Sequence, residues 1–411
     1  MMNMQPVHLS VLSGKRVHLG VTGSIAAYKA LDLLRLLVKT DMTAGATLTG
    51  AAGRFVTDLA FASLGADPVY APLFSDQDLP YAHLEPGQTA QALLIMPATA
   101  NAIAKMAHGL ADDMLSCQAL SFPGPILVAP SMNPKLWNAA ATRENWDRLM
   151  ARGVIPIGPD CGNVACGETG QGRMATVEQI YLETLRAVVP NDLTGTKILI
   201  TLGPTREYFD KVRFWSNPSS GKMGWSMALC AWMRGAEVSV VHGPVDLEFP
   251  PAITIIPVIS AREMFAAAMD LWPAMDIGCC TAAVADFAPK PYVGGKLKKE
   301  TLDGTLNIRF SQNPDILQTM GQRKGSSQKL IGFAAEAVPD IRELALGKLR
   351  RKNLDLIVAN RIDLPGSGFT SWENSVTLID TQNTATSLDG LAKTDIAWRI
   401  WDWILRPLTS P

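Results

Sequence analysis

The sequence predicts an α/β fold made of two tandem modules, each a doubly wound parallel sheet. Short apolar, β-branched runs alternate with amphipathic stretches through both halves of the chain, which is the pattern of repeated βαβ units. The alternation starts again directly after a polar stretch, residues 190–197, that contains proline, glycine and an Asn-Asp pair. We therefore expect one domain over residues 1–190 and a second over residues 191–411.

Length and composition limit the class of protein. The 411 residues carry 37 Lys+Arg and 38 Asp+Glu, a net charge of −1, so no basic excess points to a nucleic-acid partner. Hydrophobic residues make up 47% of the chain and charged residues 18%, which allows a large core. Six cysteines are too few for a disulfide framework, and no apolar run reaches the roughly 20 residues of a membrane span. Lys15 and Arg16 interrupt the N-terminal apolar stretch, so we expect a soluble, cytoplasmic protein with no membrane partner.

The first half has a strand–helix order. An apolar run enters a small-residue turn over 16–24, and apolar residues then recur at helical spacing over 25–40. Two strand-and-turn segments follow at 92–101 and 125–133, and a short strand is expected at 153–158. Helices are predicted between these strands.

The second half repeats this order. A strand and turn over 197–205 precede a long loop and a helix over 221–235. Further strands are predicted over 236–243, 275–287, 329–336 and 354–360. Residues 289–300 hold too much glycine and lysine for a packed element and indicate a surface loop, while the tryptophan-rich tail indicates an amphipathic helix. In this Rossmann- or flavodoxin-like arrangement, binding loops lie at the carboxyl ends of the strands.

Three strand ends of the first half carry candidate ligand contacts. Gly23 and Ser24 join a strand to a helix start, whose N–H groups and positive dipole end suit a phosphate. Thr99 follows the next strand, where a short polar side chain can bind a flavin or simply cap the helix. Met132 and Asn133 follow a third strand, and a methionine there is more often core filler, so Asn133 is the better candidate.

Two reactive side chains stand out in the loops of the first half. His83 lies between polar stretches, where a histidine is more often a solvated bystander than a catalyst. Cys166 lies in a glycine-rich polar stretch, 163–174, that is long enough to form a flap over a site, so we expect an accessible thiol. Cys279 and Cys280 lie in an apolar strand instead and are expected in the core.

The segment 216–224 is the strongest local signal of the second half. Two serines, a glycine and Lys222 directly precede a helix and offer N–H groups, hydroxyls and a cation to a phosphate, although a serine-capped helix start has the same pattern. Asp286 follows a buried run and is placed to hold Mg²⁺ against nucleotide phosphates. The lysines of the 289–300 loop and the cationic cluster at 348–352 would then clamp a polyphosphate.

Together these segments resemble the bacterial bifunctional phosphopantothenoylcysteine decarboxylase/phosphopantothenate–cysteine ligase family of coenzyme A biosynthesis. The resemblance runs from about Lys15 to Asn360. It rests on motifs that occur in the family's order: GSIAAYK, PATAN, GLADDMLS, PSMN, ACGETGQGRM, GPTRE, SNPSSGKMG, AAVADF, NPDI, GFAAE and KNLDLIVAN. Departures such as AHLEP for a GHIEL-like motif and PSMN for the usual PAMN remove no residue to which a role is assigned.

In the first half the resemblance implies an FMN-dependent decarboxylase. Transient oxidation of the substrate's cysteine moiety gives its carboxylate the electron sink that it otherwise lacks. Cys166 would be the proton donor on a closing flap, and His83 and Asn133 would act at the substrate carboxylate. The FMN site would be lined by Gly23, Ser24, Thr99 and Met132.

In the second half the resemblance implies a CTP-dependent ligase. The carboxylate of 4′-phosphopantothenate would attack the α-phosphate to give an acyl-cytidylate and pyrophosphate, and the amine of cysteine would then displace CMP. Asn217 would steady the acyl-cytidylate, and Lys296 would neutralise developing charge. The nucleotide-binding positions would be Asp286 (also the Mg²⁺ ligand), Lys296, Asn313, Pro314, Asp315, Ile316, Phe333, Lys348 and Lys352.

Other classes stay open on the residues alone. A nicotinamide-dependent oxidoreductase would need a GxGxxG fingerprint, which is missing. A flavodoxin-like electron carrier fused to a nucleotide-binding module would not need Cys166 in a flap, and a family member with a single activity is a third alternative. The resemblance also implies 4′-phosphopantothenate, cysteine and CTP as small-molecule partners, and a homo-oligomer of trimeric decarboxylase and dimeric ligase domains.

Overall fold

The computed structural model describes residues 6–70, 81–163, 167–290, 292–297, 305–336, 341–361 and 371–406. The chain divides into two compact units, Met1–Pro190 and Asn191–Pro411, and each contains a parallel sheet with helices. The predicted α/β class is therefore confirmed. Within the described ranges, no helix is both long enough and apolar enough to cross a membrane.

The first unit is built on a six-stranded parallel sheet. Its strands are β1 (Arg16–Val21), β2 (Thr43–Leu48), β3 (Ala66–Tyr70), β4 (Ala92–Ala98), β5 (Ile126–Pro130) and β6 (Ile155–Pro156). Across the sheet they lie in the order β3-β2-β1-β4-β5-β6, and β7 (Asp160–Asn163) pairs with β8 (Thr169–Arg173) in a separate antiparallel hairpin. The helices are α1 (Lys29–Lys39), α2 (Asp58–Ser63), α3 (Glu85–Thr89), α4 (Ala100–His108), α5 (Met114–Ser121), α6 (Pro134–Trp137), α7 (Ala140–Ala151) and α8 (Val177–Ala187).

Hydrophobic patterning explains how these elements pack. Every residue of β4 is buried, as expected for a central strand covered on both faces. Helix α1 buries Ala30, Leu33, Leu34 and Leu37, one face at helical spacing. The helix predicted from residue 25 begins instead with a 3₁₀ turn over Ile25–Tyr28, and the Ser24 side chain caps that turn by accepting from the Ala26 N–H.

The second unit has an eight-stranded sheet with a parallel part and an antiparallel extension. Its strands are β9 (Lys197–Leu202), β12 (Glu237–His242), β13 (Thr254–Pro257), β14 (Ile277–Cys280), β17 (Lys329–Glu336), β18 (Leu356–Arg361), β19 (Glu373–Asp380) and β20 (Ala385–Ala392). They lie in the order β13-β12-β9-β14-β17-β18-β19-β20, with antiparallel pairing only at β18–β19 and β19–β20. Two small hairpins pair β10 (Glu207–Tyr208) with β11 (Phe214–Trp215) and β15 (Phe287–Lys290) with β16 (Arg309–Gln312). The helices are α9 (Lys222–Met233), α10 (Ala261–Leu271), α11 (Ile316–Gln322), α12 (Ile341–Arg351) and α13 (Lys393–Leu405).

Two element boundaries that the sequence predicted near residue 286 are wrong: the end of a strand and the start of a loop. The strand predicted over 275–287 ends at Cys280, because the chain then follows the loop after β9: the Ala283 N–H donates to Gly203 O and the Ala285 N–H to Thr205 Oγ1. Asp286 is therefore an exposed loop residue rather than the end of a buried strand. Residues 289 and 290, predicted as loop, belong to β15 because they pair with β16.

The tail forms the expected amphipathic helix. In α13 the side chains of Trp398 and Trp401 are buried, and the Trp401 Nε1–H donates to Met227 O of α9 at 3.0 Å. Packing against this helix explains why α9 is buried along most of its length.

A buried polar chain crosses the first unit from β1 to the turn before α3. His18 Nε2 lies 2.7 Å from Thr47 Oγ1, which donates to Gln118 Oε1 at 2.6 Å, and Gln118 Nε2 donates to Ala82 O at 3.1 Å. Since the only hydroxyl hydrogen of Thr47 goes to Gln118, His18 Nε2 must carry the proton. Burial, with a smaller effect from the charge of Arg16, lowers the pKa of His18 to about 3.

Replacing His18 by glutamine should flatten the loss of stability in acid. Between its ordinary pKa of 6.5 and about 3, the unfolded histidine binds a proton that the folded one does not, so the free energy of unfolding falls as the pH falls. Urea unfolding at pH 7 and pH 5 should show wild type losing about 2 kcal/mol more than His18→Gln. The exposed His108→Gln serves as the control and should keep the wild-type pH dependence. Equal losses in wild type and His18→Gln would contradict the assignment.

Candidate active sites

The first unit has a cavity of about 370 Å³ at the carboxyl ends of β1 and β4, where the strand order reverses. Open α/β sheets bind ligands at this position. One set of lining residues is polar and another is apolar, which suits a ligand with a phosphate tail and an aromatic ring system. The polar set, with its glycines, is Thr22, Gly23, Thr49, Gly50, Thr99, Asn101, Lys105, Asp113 and Ser116, and the apolar set is Ala51, Ile95, Ala102, Met106, Leu115 and Ala119.

Hydrogen bonds tie the two strand ends of this cavity together. Thr22 Oγ1 donates to Pro97 O at 2.6 Å and accepts from the Thr99 N–H at 3.1 Å. Thr99 Oγ1 in turn accepts from the Ala102 N–H, so this residue caps α4. The first turn of α4 therefore begins at the cavity wall and offers its positive end to an anion.

A lysine between two carboxylates lies on the α4–α5 side of the cavity. Lys105 Nζ is 2.6 Å from Asp112 Oδ1 and 2.7 Å from Asp113 Oδ2. Hydrogen bonds to these carboxylates raise the pKa of Lys105. Partial burial alone would raise the pKa of Asp113, but the Lys105 ion pair and the bonds from Ser116 bring it below its ordinary value. The ion pairs fix the start of α5. Lys105 and Asp113 line the cavity and Asp112 does not, so the two opposite charges in the lining cancel.

A second set of contacts ties the β7–β8 hairpin to the loop after β5. Asn133 Nδ2 donates to Glu168 Oε2 at 2.9 Å, and Lys135 Nζ lies 2.6 Å from Glu168 Oε1. The Met132 N–H donates to the carbonyl oxygen of Gly172 at 3.0 Å. Gly172 has φ +142°, and a Cβ there would lie 2.5 Å from Met132 O, so only glycine fits this contact.

The structure brings together only part of the set predicted for the first unit. Gly23 and Thr99 line the cavity, whereas Ser24 and Met132 do not: Ser24 Oγ is 3.0 Å from Ser131 Oγ, and Met132 packs against the hydrophobic core. Asn133 lies in the hairpin contact, and His83 is exposed and not among the lining residues. Cys166 lies outside the described residues.

The second unit has a cavity of about 830 Å³ at the carboxyl ends of β9, β14 and β17. The loop 217–221 enters it, and Gly221 adopts a left-handed conformation (φ +72°) immediately before α9. Asn217 is held at the cavity wall because its Nδ2 donates to Val284 O at 3.0 Å. The N-terminal end of α9 therefore opens onto the cavity, as the sequence predicted for a phosphate site.

Almost every nucleotide-binding position expected for the second unit lines this one cavity. The lining residues of that set are Asp286, Asn313, Pro314, Asp315, Ile316, Phe333, Lys348 and Lys352, and Asn217, expected to steady the acyl-cytidylate, lines the same cavity. Lys296 does not line it and is exposed. Its segment is attached next to the buried carboxylate of Asp210, whose Oδ2 accepts from the Leu297 N–H at 3.2 Å.

Two contacts shape the floor of the second cavity. Asn313 Nδ2 donates to Ala285 O at 2.9 Å, which leaves its buried Oδ1 without a partner. Lys352 Nζ forms an ion pair of 2.7 Å with Asp315 Oδ2, while Asp315 also accepts from the Gln318 N–H as the cap of α11. The described lining residues include one further carboxylate, that of Asp286, which is therefore the candidate ligand for a divalent cation.

Sequence reasoning missed several lining residues of the second cavity. Asn374, Val376 and Lys393 come from β19 and α13, for which the sequence offered no functional signal. Cys280 was expected in the core with Cys279. It packs against the core, with its Sγ 3.6 Å from Met320 Sδ, but it is the last residue of β14, is half-buried and also lines the cavity. Burial raises the pKa of the Cys280 thiol to about 12, so it is no thiolate at neutral pH.

Two units with largely parallel sheets, each with a polar cavity where the strand order reverses, define a two-module α/β protein with a candidate ligand site in each module. Family models match both units: "Flavoprotein" over residues 7–188 and "DNA/pantothenate metabolism flavoprotein C-terminal domain" over residues 193–408. The chain is 39% identical to the coenzyme A biosynthesis bifunctional protein CoaBC of Vibrio cholerae, over 89% of this chain and 92% of the relative. It is 40% identical to the Escherichia coli protein of the same name (89% and 91% covered) and 38% identical to that of Bacillus subtilis (95% and 96%). The chain belongs to this family of bifunctional coenzyme A biosynthesis proteins.

A methyl group at residue 172 should disrupt the contact between the hairpin and the β5 loop. Gly172→Ala combines a strained φ with a clash against Met132 O, which we expect to cost about 2 kcal/mol or more and to lower Tm by several degrees. Gly167→Ala is the matched control, since Gly167 also has positive φ (+83°) but nothing lies within 4 Å of its Cβ position. Thermal unfolding of both variants should show the larger loss for Gly172→Ala, and equal losses would mean that the contact is unimportant.

Proposed function

We propose that the chain catalyses two consecutive steps of coenzyme A biosynthesis. The second unit ligates 4′-phosphopantothenate to cysteine with CTP, and the first unit decarboxylates the resulting 4′-phosphopantothenoylcysteine with FMN. One observation carries the proposal: nine positions expected from separate motifs for nucleotide and acyl-nucleotide binding line a single cavity. Membership of the family argues against the nicotinamide-dependent oxidoreductase and the electron carrier.

The first cavity fits FMN by the chemistry of its lining. Its hydroxyl groups and the α4 N-terminus suit a phosphate, and its apolar wall suits a flavin ring. Bound FMN would supply the two-electron oxidation and reduction that make loss of CO₂ feasible. Gly23 and Thr99 would contact the cofactor, while Ser24 and Met132 would support the adjoining loop from outside the lining.

The protein groups of the first unit would orient the substrate and move protons. A hydrogen bond to Glu168 orients the Asn133 side chain. This bond joins the loop after β5 to the β7–β8 hairpin, whose strands flank residue 166 in the sequence. In this proposal the Cys166 thiol protonates the substrate-derived carbon after CO₂ has left, and Asn133 and His83 act near the carboxylate. These three roles stay predictions.

The second cavity would place the two reactants of the ligation side by side. A carboxylate oxygen of 4′-phosphopantothenate attacks the α-phosphorus of CTP, the bond to pyrophosphate breaks, and the amine of cysteine then displaces CMP from the acyl carbon. One N–H of the Asn217 side-chain amide donates to Val284 O and fixes the amide in place. The second N–H can then donate to the phosphoryl oxygens. Lys348 and Lys352 add positive charge, and Asp286 would hold Mg²⁺. Lys296 would act only if its exposed segment moves over the cavity.

Cys166→Ser should abolish CO₂ release and leave ligation intact. We expect pyrophosphate release from CTP, 4′-phosphopantothenate and cysteine to continue at the wild-type rate, because Cys166 belongs to the first unit and the proposed ligase residues belong to the second. CO₂ release should fall by roughly 100-fold or more, as expected for loss of a general acid. The exposed Cys161→Ser is the control and should keep both activities. Full CO₂ release by Cys166→Ser would remove the thiol from the mechanism.

Asn217→Asp should give the opposite result. A carboxylate at this position places negative charge beside the phosphoryl oxygens, so pyrophosphate release should fall by roughly 100-fold. CO₂ release from supplied 4′-phosphopantothenoylcysteine should not change. Asn307→Asp makes the same change of charge at an exposed position and should leave both activities at the wild-type level. If neither product is formed by wild type, the proposed function is wrong.

Assembly and localisation stay predictions. The trimeric and dimeric assemblies of the two domains, a cytoplasmic location and the preference for CTP over ATP can be tested by sedimentation, fractionation and parallel assays with the two nucleotides.

A further inference from the structure

The turn that carries His83 has a constrained backbone. Tyr81 adopts the left-handed region at φ +65°, and because its side chain is 71% exposed, packing of that side chain does not explain the conformation. The carbonyl oxygen of Tyr81 accepts from the Leu84 N–H at 2.8 Å and from the Glu85 N–H at 3.2 Å, so residues 81–85 form a tight turn around His83. A strained residue of this kind persists only where contacts with the rest of the fold hold it.

One such contact comes from the interior of the first unit. Gln118 Nε2 donates to Ala82 O at 3.1 Å. The carbonyl of Ala82 and the N–H of His83 belong to one planar peptide group, so this bond fixes the direction in which the chain enters His83. The Ala82 side chain is buried with Tyr70 and Met114, which holds the same point by apolar packing.

The Gln118 side chain is itself fixed in one orientation. It is 1% exposed, and because Ala82 O can only accept, the amide nitrogen has to face Ala82. The amide oxygen then accepts from Thr47 Oγ1 at 2.6 Å, and Thr47 Oγ1 accepts from His18 Nε2 at 2.7 Å. Every hydrogen bond in this chain donates in the same direction, from β1 toward the His83 peptide.

A second contact from β1 reaches the other end of the turn. Arg16 and His18 are two residues apart in β1, so their side chains lie on the same face of the sheet. Arg16 Nη2 lies 3.5 Å from Glu85 Oε1. The turn is thus connected to β1 at Ala82 and again at Glu85, while His83 between these points is exposed.

Helix α5 connects this turn to the candidate cofactor cavity. Leu115, Ser116 and Ala119 of α5 line the cavity, and Gln118 of the same helix contacts the turn. A short helix is a rigid support, so α5 sets the position of the His83 peptide relative to the cavity lining.

A second α5 side chain near the turn contributes less. Ser121 Oγ lies 3.1 Å from His83 O, but it also lies 3.0 Å from Cys117 O and 3.2 Å from Gln118 O within its own helix. The hydroxyl has one hydrogen for these three carbonyl oxygens. The buried Gln118 amide is therefore the stronger of the two contacts.

We propose that Gln118 is a positioning residue of the first unit and that it acts through His83, by fixing the peptide group that leads into the histidine. The inference rests on the proposed function, in which His83 acts near the substrate carboxylate. Without the Gln118 contact the imidazole keeps its chemistry but loses its alignment with the substrate, and lost alignment slows the chemical step.

Combining two substitutions tests whether Gln118 acts through His83. Gln118→Met has a side chain of similar size without the N–H donor, and CO₂ release from supplied 4′-phosphopantothenoylcysteine should fall by roughly 10- to 100-fold. His83→Ala should fall at least as far, and the double variant should equal His83→Ala, because no histidine is left to position. Gln179→Met makes the same substitution in α8, away from the cavity lining, and should keep the wild-type rate. Losses that multiply in the double variant would show a general structural effect and overturn the proposal.

Hydrogen exchange followed by mass spectrometry measures the turn without turnover. In the full chain, the amides of residues 81–89 should exchange roughly 10-fold faster in Gln118→Met than in wild type, whereas those of α7 should not change. Thr47→Val is the second variant if Gln118→Met does not fold. It removes the hydroxyl that orients the amide but leaves α5 and the turn intact, so we expect a smaller change in the same direction.

The positioning role and the proposed function fail in different ways. If wild type releases CO₂ and either His83→Ala or Gln118→Met does so at the same rate, the positioning role is wrong and the proposed function stands. If wild type releases no CO₂ but residues 81–89 still exchange faster in Gln118→Met, the contact that holds His83 is supported and the proposed function is wrong. Equal exchange in wild type, Gln118→Met and Thr47→Val would overturn the positioning role in either case.

Discussion

The reversal of strand order in each parallel sheet is the constraint on which the rest of the molecule depends. The chain leaves β1 and β4, and again β9 and β14, in opposite directions across the sheet. Connections between parallel strands are right-handed as a rule, so connections that run in opposite directions lie on opposite faces of a sheet. The loops that leave these strands must therefore diverge, and a crevice opens between them. Both cavities lie in such crevices, so the position of each site is set by topology before any particular side chain is considered.

What differs between the two crevices is charge. In the first unit Lys105 is matched by Asp112 and Asp113, and the remaining polar lining is hydroxyl and amide groups. That lining suits one small phosphate beside an apolar ring. Among the described lining residues of the second cavity, lysines outnumber aspartates, and Asp315 forms an ion pair with Lys352. The same backbone plan thus gives one cavity suited to a cofactor and another suited to a polyphosphate.

The sequence predicted best those features that are local along the chain. Gly23 and Thr99 each follow an apolar strand by a few residues, so their place at a strand end could be read from the pattern, whereas Asn217 was found from the polar segment that directly precedes α9. Asp286 was placed on a strand because 281–285 is as apolar as a strand, whereas hydrogen bonds to the β9 loop draw it off the sheet. The position of Lys393 in the cavity lining could not be predicted from the sequence. It depends on the antiparallel extension of the sheet, after which α13 packs against α9. For Met132 and Ser24 the predicted place after a strand is correct, but neither residue lines the cavity: Met132 packs against the core and Ser24 contacts Ser131.

The late position of α13 in the chain also has a consequence for biosynthesis on the ribosome. The first unit is complete at Pro190, after its six-stranded sheet and α8, so it can fold while the rest of the polypeptide is still being translated. The second unit needs α13, which ends only at Leu405, both to cover α9 and to finish the wall of its cavity. A nascent chain that stalls before this helix would therefore release a product with a complete first unit and an unfinished second one, with the apolar surface of α9 exposed to chaperones and proteases.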